Sequence, residues 1–160
     1  MKVYHGSNQV VGKPALVEQN RFLDFGYGFY TTANYDQAVG FAKKVVLRRG
    51  GKPIVNEYEI NATDLFASLK IKEFMDAGEE WLDFVSANRS GIYTGDRYDL
   101  IIGAVADDDV YRTFQLYTAG VLTKAETIER LKIKKLFNQY VFATEKSLGF
   151  LSFVKAEEVK

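Results

Sequence analysis

The sequence predicts an α+β fold. Apolar residues at helical spacing and short alternating or continuous apolar runs are interleaved without a strict βαβ repeat. Glycine and polar turn clusters separate these segments, and only Pro14 and Pro53 interrupt the chain as prolines. The composition, 47% apolar and 26% charged over 160 residues, is that of an ordinary globular protein. A chain of this length buries roughly 70% of its unfolded surface, enough for a core without staples. One domain over residues 1–160 is therefore expected, with no repeat, low-complexity tract or linker.

The elements follow in order. Lys2 to His5 reads as a short strand ending in the turn cluster Gly6-Ser7-Asn8. It offers no apolar stretch of the signal-peptide kind. Leu23 to Tyr30 is a glycine-punctuated loop running into a strand. A helix should begin after Asn34, with Gln37 three residues on as in a capping box. Ala38, Phe41, Ala42, Val45 and Val46 recur at its spacing, and Gly50-Gly51 ends it. Ile54 to Ile60 alternates as a strand. Glu79 to Asn88 is a helix with Trp81, Phe84 and Val85 in the core. Tyr98 to Val105 is a buried strand, and Asp107 to Tyr117 a helix. Thr123 and Glu126 cap another helix through about Lys134. Gln139 to Ala143 and Phe150 to Lys155 are strands.

Composition narrows the chemistry. With 21 basic and 21 acidic residues the chain is neutral, which argues against coating duplexes or membranes but allows a local basic patch. No apolar run approaches the ~20 residues of a membrane span. A chain without cysteine and with one histidine has no disulfide framework or thiolate nucleophile, and no metal site is expected. These features predict a cytoplasmic protein.

Three segments could carry chemistry. His5 stands at a strand end, where a lone histidine serves structure as readily as function. Gly6 after it allows close approach to the backbone, and Ser7 adds a hydroxyl that both donates and accepts. In Phe25-Gly26-Tyr27-Gly28-Phe29-Tyr30 the glycines form neither a P-loop nor a full dinucleotide fingerprint. They suit a packed turn or an aromatic platform, with Tyr30 and Phe41 positioned to sandwich a flat heterocycle. The third segment, Asn138-Gln139-Tyr140-Val141-Phe142, brings an amide into a late strand.

In this order the three segments resemble the ADP-ribosyltransferase superfamily of the diphtheria-toxin and poly-ADP-ribose polymerase type. The polymerases show H-G-[ST], then G-x-G-[IF]-Y, then a glutamate opening a strand. Nearly the whole chain is similar to a small bacterial family in that superfamily. Its hallmarks are Y-H-G-S, D-F-G-x-G-F-Y and Y-D-x-I-x-G-x-V-A, the last here Tyr98 to Ala106, with a late N-Q. The resemblance implies two small, mostly antiparallel sheets with peripheral helices around an NAD cleft. It implies that His5 bonds the nicotinamide-side ribose, that Gly6 pairs with the carboxamide and that Ser7 contacts ribose hydroxyls. Gly28 would shape the cleft, and Tyr30 and Phe41 would flank the nicotinamide. Gln139 takes the third catalytic position, giving a His-Tyr-Gln set in which an uncharged amide replaces the usual carboxylate. Glu145 is its rival.

The implied function is mono-ADP-ribosyl transfer from NAD to a macromolecular acceptor, protein or nucleic acid, as a bacterial toxin or regulator with a small neutralising protein partner. NAD hydrolysis, or an inactive NAD- or ADP-ribose-binding module, are the alternatives. Lys43, Lys44, Arg48, Arg49 and Lys52 read as a solvated helix face or as a patch that docks NAD phosphates or a nucleic-acid target. Asp107-Asp108-Asp109 reads as a helix N-terminus or a cation site. Asp107 and Arg112 are further candidates for the acceptor side.

Overall fold

The computed structural model describes residues 1–17, 23–104, 108–132 and 138–160. They form an α+β fold: one seven-stranded mixed sheet and, among the described residues, six helices. The elements run β1 (Lys2–Ser7), β2 (Phe29–Thr32), α1 (Tyr35–Arg49), β3 (Ile54–Glu59), α2 (Ala62–Ser68), β4 (Ile71–Glu73) and α3 (Glu79–Arg89). They continue with β5 (Leu100–Ala104), α4 (Asp108–Thr118), α5 (Lys124–Lys132), β6 (Asn138–Phe142), α6 (Glu145–Leu148) and β7 (Ser152–Glu158). Among the described residues no helix is long and apolar enough to cross a membrane.

Local chemistry explains the helix ends. Asn34 caps α1 by accepting from the Gln37 N–H at 2.8 Å. The return arm of the expected box is absent, because the Gln37 side chain is taken by the Thr32 hydroxyl and the Asn34 N–H donates to that same hydroxyl. At α5 both arms form: Glu126 N–H donates to Thr123 Oγ1 and Thr123 N–H donates to the Glu126 carboxylate. Gly50 ends α1 at φ 75°, a conformation that favours glycine. The expected continuations to Val105 and Lys134 lie outside the described residues.

The sheet order is β4-β5-β6-β2-β1-β3-β7, parallel only between β4 and β5. Its faces are covered separately, so Leu100 and Ile102 of β5 look into one core and Ile101 into the other. One core holds Trp81, Phe84 and Val85 of α3 with Val110 and Phe114 of α4 against Ile101 and Val141. Trp81, 1% exposed, donates its indole N–H to the Ala104 carbonyl, so even its polar atom is satisfied. The opposite core packs Val3, Phe29, Tyr58, Leu65, Ile102 and Phe142. A small third cluster seats α1 on the sheet through Ala38, Ala42 and Val55.

Two separate sheets were expected, and the hydrogen-bonded sheet is continuous. The expectation fails narrowly. β1 and β3 share six register pairs and β2 and β6 share four, whereas β1 and β2 share only Tyr4↔Thr32. The two halves are thus joined through a one-pair seam. The next pairing in register would be Gly6 with Tyr30, but the Tyr30 carbonyl accepts from His5 Nδ1 at 2.7 Å. A side chain takes the acceptor that a longer ladder would need.

Candidate functional site at the β1–β2 seam

The ladder fixes which way Gly6 points. Met1 and Ile60 exchange reciprocal bonds, the terminal amine to the Ile60 carbonyl and the Ile60 N–H to the Met1 carbonyl. In an antiparallel pair such exchanges recur at every second residue. Carried along the β1–β3 register, Val3, His5 and Ser7 turn their backbone groups toward β3, and Tyr4 and Gly6 turn theirs toward β2. Tyr4 meets Thr32 there, and Gly6 has no register partner in β2. Its N–H and C=O face the mouth of the seam.

Gly6 is also fixed by packing. A Cβ at this position would lie 2.2 Å from the Ala38 carbonyl oxygen and 2.7 Å from the Ala42 nitrogen. Both are α1 backbone atoms and cannot step aside. Phe41, on the turn between those alanines, is 44% exposed. Thus α1 presses on Gly6 through the turn that also carries the exposed Phe41. Gly28 is similarly constrained, since a Cβ there would come within 2.5 Å of Val141 Cγ1.

His5 packs against Phe29, with ring centroids 4.3 Å apart. Its Nδ1 faces a carbonyl, which only accepts, so Nδ1 carries the proton and Nε2 of the neutral ring presents a lone pair. The protein packed around the ring lowers its pKa by desolvation, against an opposing contribution from the Tyr30 carbonyl. Alternation along β1 sends the His5 and Ser7 side chains to the Phe29 face and leaves Tyr4 and Gly6 on the α1 face. Ser7 is buried.

Tyr30 has two roles. Its ring is half-buried against the Trp81 core, and its hydroxyl donates to the Gly26 carbonyl at 2.6 Å while accepting from the Phe25 N–H at 3.1 Å. That hydroxyl closes the Phe25-Gly26 turn, where Gly26 has φ 78°. Tyr30 therefore shapes the loop as well as offering a ring, which the sequence reading had treated as an aromatic wall alone.

Gln139 lies in one cross-strand row, Tyr4–Thr32–Gln139–Gly103, spanning β1, β2, β6 and β5. Residues in such a row share a face, so Gln139 shares that of Gly6 and Tyr30. Gly103 has no side chain, and Phe25 and Phe74 fill the space above it. Gln139 is 6% exposed, and among the described residues its Nε2 has no hydrogen-bond partner. The neighbouring Thr32 hydroxyl donates to Gln37 and accepts from the Asn34 N–H. A buried amide donor without a partner costs about 1–3 kcal/mol. Glu145 stands past the other end of β6, exposed, at the start of α6.

The seam thus puts Gly6, Tyr30 and Gln139 on the α1 face, Gln139 two strands from β1 and about 10 Å across the ladder, whereas the His5 and Ser7 side chains lie on the opposite, Phe29 face. It does not gather Glu145. Arg112 is exposed on α4, and Asp107 lies outside the described residues. Among the described residues no cluster of three or more His, Asp or Glu could hold a metal ion. A groove of about 380 Å³ between Phe74, Phe84, Tyr93 and Tyr98 lies elsewhere. We assign the candidate site to the seam because the Gly6 backbone groups and the buried Gln139 Nε2 share its face there; Ser86 Oγ on α3 is also without a partner among the described residues, away from the seam.

Sequence reading missed the supports of this site. Asp24 pairs with Arg89 at 2.5 Å and ties the glycine loop to α3. Asp99 accepts from the Lys70 N–H and the Thr144 hydroxyl, and those bonds lower its pKa, the Lys70 bond most. Asn56 accepts from the Val11 N–H and donates to the Gln9 carbonyl, pinning the loop after Ser7. Asp24 and Asp99 stand inside the quoted motifs, where their positions were the available signal.

Fold and site define a class: an α+β protein whose sheet narrows to one pair at a polar seam. The chain belongs to the family described as DUF3990, protein of unknown function, whose model matches residues 1–153. Among curated proteins and among solved structures, nothing matches it.

Proposed function

We propose that the protein binds NAD at the β1–β2 seam and transfers ADP-ribose to a macromolecule. The observation that carries this reading is Gly6, whose backbone N–H and C=O face β2 beyond the last register pair. A planar carboxamide offers the complementary acceptor and donor. Phe41 supplies a face for the ring, and neutral His5 supplies Nε2 as acceptor for a ribose hydroxyl. The unpartnered Gln139 Nε2 would donate to a ribose hydroxyl oxygen.

The reaction asks little nucleophilic help of the protein. Nicotinamide leaves as a neutral base, taking the electron pair of the bond between ribose C1′ and the pyridinium nitrogen. The positive charge passes to the ribose carbon, an acceptor heteroatom bonds there and its proton goes to solvent. Holding the two ends of the ligand in place supplies most of the catalysis. Gln139 provides a hydrogen bond without charge, so stabilisation of the cation is weaker than a carboxylate would give. That neutrality favours the second reading, a catalytically inactive NAD-binding module.

Nicotinamide release from NAD, followed with and without cell lysate, separates the readings. Transfer requires lysate, hydrolysis does not, and a binding module releases none. Gln139→Ala should slow release about ten- to a hundredfold, one to three kcal/mol, and Glu145→Ala should leave it unchanged. A dead Glu145→Ala beside a normal Gln139→Ala would remove the site from the seam.

A further inference from the structure

β7 ends the sheet: among the described residues it pairs with β3 and has no strand on its other side. Six of its seven residues are exposed, and Ala156 is half-buried. The β3 ladder holds it extended along its length. One irregularity sets Val154 as an extra residue between the pairs Glu57↔Lys155 and Tyr58↔Phe153. An open edge accepts another strand unless bulges and charges forbid it. Here the bulge leaves Lys155 to Val159 regular, and the charges in that stretch forbid some alignments and favour one.

Backbone parity follows from one bond. The Val159 N–H donates to the Pro53 carbonyl, one step beyond the pair Ile54↔Glu158. Bonded pairs recur at every second residue of an antiparallel ladder, so Glu157 and Lys155 also turn their backbone groups toward β3. Ala156 and Glu158 turn theirs outward, to the open edge. A second copy adding its own β7 antiparallel must set outward residues opposite outward residues. Centring the two-fold on Lys155, Glu157 or Glu158 places like charges on the axis. Centring it on Ala156 lets that residue exchange both backbone bonds with its own copy. Lys155 then faces Glu157 of the second copy, and Glu157 faces its Lys155. Both pairs fall at non-bonded positions, where cross-strand side chains stand closest. Lys155 and Glu157 already lie 3.5 Å apart within one chain, so two copies complete an alternating ring of four charges. Glu158 is answered inside its own chain by Lys52.

We propose that β7 is the interface of a two-fold homodimer in which the β7 strands of two copies pair antiparallel about Ala156 and join two sheets into one. The axis stands perpendicular to the sheet, so both α1 helices lie on the same face. Each β1–β2 seam stays clear of the interface, with β3 between β1 and β7. Nothing in this assembly depends on the NAD reading.

Sedimentation velocity on the intact chain between about 5 and 500 µM reads the assembly. One strand pair is a small contact, so dissociation should fall in the range of about 10–100 µM. Lys155→Glu and Glu157→Lys should each weaken association roughly tenfold or more, because each sets two like-charged pairs beside the axis. An equimolar mixture of the two should dimerise as the parent does, since every pair is again of opposite charge. Ala156→Pro should abolish the dimer and keep the parent's circular dichroism, because the N–H it removes faces away from β3. A parent that stays monomeric throughout overturns the proposal. So do charge variants that associate like the parent, and a mixture that fails to recover. Growth beyond the dimer also overturns it, since a closed two-fold contact leaves no surface to extend. An Ala156→Pro variant that still dimerises places the interface elsewhere, and one that loses the fold refutes the outward assignment of Ala156; either result overturns the proposal.

Discussion

The β5–β6 ladder and the β1–β2 seam are built on opposite terms. β5 and β6 share five register pairs, and Leu100, Ile101, Ile102, Val141 and Phe142 are all at most 4% exposed. Each strand is covered on both faces, and the one indole nearby is satisfied by the Ala104 carbonyl. At the seam one pair joins the strands, a histidine takes a backbone acceptor, a glycine faces β2 without a partner and a buried amide goes unmet. Stability alone favours the first arrangement. The ligand proposed for the seam would supply the partners that the second leaves unmet.

The largest expected effect tests whether the seam's geometry is rigid. Gly6→Ala places a methyl against two α1 backbone atoms, so strand and helix must separate. The loss should be about 3 kcal/mol or more, near the top of the range for overpacking. Gly12→Ala is the control, because nothing lies within 4 Å of the added carbon. Urea unfolding of both variants makes the measurement. If Gly6→Ala costs under about 1 kcal/mol, the helix yields, and the seam is no better defined than a surface turn.

Much of the ladder was legible in the sequence and less of the seam. Helical spacing and caps located α1, α3 and α5, and the Leu-Ile-Ile run marked β5, because burial on both faces leaves a continuous apolar stretch. α2 and β4 escaped notice. Their seven and three residues are too short for a period to emerge, although Asn61 accepts from the Asp64 N–H as a cap should. His5, Gly6, Tyr30 and Gln139 were found as residue types in an order. Their arrangement could not be read, because it depends on which parity of β1 bonds to β3 and on a side chain displacing a ladder bond. Those are properties of register, and register was set by β3, whose partners lie forty-seven or more residues from β1 in the chain.

The second prediction asks whether the unmet amide serves a ligand or the fold. Gln139→Met keeps the length of the side chain and removes the donor that lacks a partner. Relieving it should stabilise the free protein by about 1–2 kcal/mol. Nicotinamide release should fall, since the hold on the ribose goes with the donor. Gain of stability with loss of function is the signature of a residue retained for binding. A destabilised Gln139→Met variant would show the amide to be structural, and the contrast between seam and ladder would lose its sharpest point.

The smallest expected effect concerns protonation at the seam. His5 is the one histidine of the chain, so a nitrogen-correlated NMR spectrum shows a single imidazole. At pH 7 it should be the neutral ring with the proton on Nδ1, because the Tyr30 carbonyl holds that proton. Desolvation places the folded pKa below the ordinary 6.5, so the folded protein stays neutral in a window where the unfolded chain already binds a proton. Stability is then undiminished above pH 6.5 and declines as pH falls below it toward the folded pKa, where the loss levels off. The His5→Gln variant should lack this part of the pH dependence, and the difference between the two stability curves isolates it. Protonation also converts Nε2 from acceptor to donor, so NAD affinity should weaken only at the acid end of the same titration. A folded pKa above 6.5 would mean that desolvation does not outweigh the Tyr30 contact, and a ring protonated on Nε2 at pH 7 would mean that the imidazole is not held by the Tyr30 carbonyl. The one-pair seam would then lose the contact that stops the ladder at Tyr4.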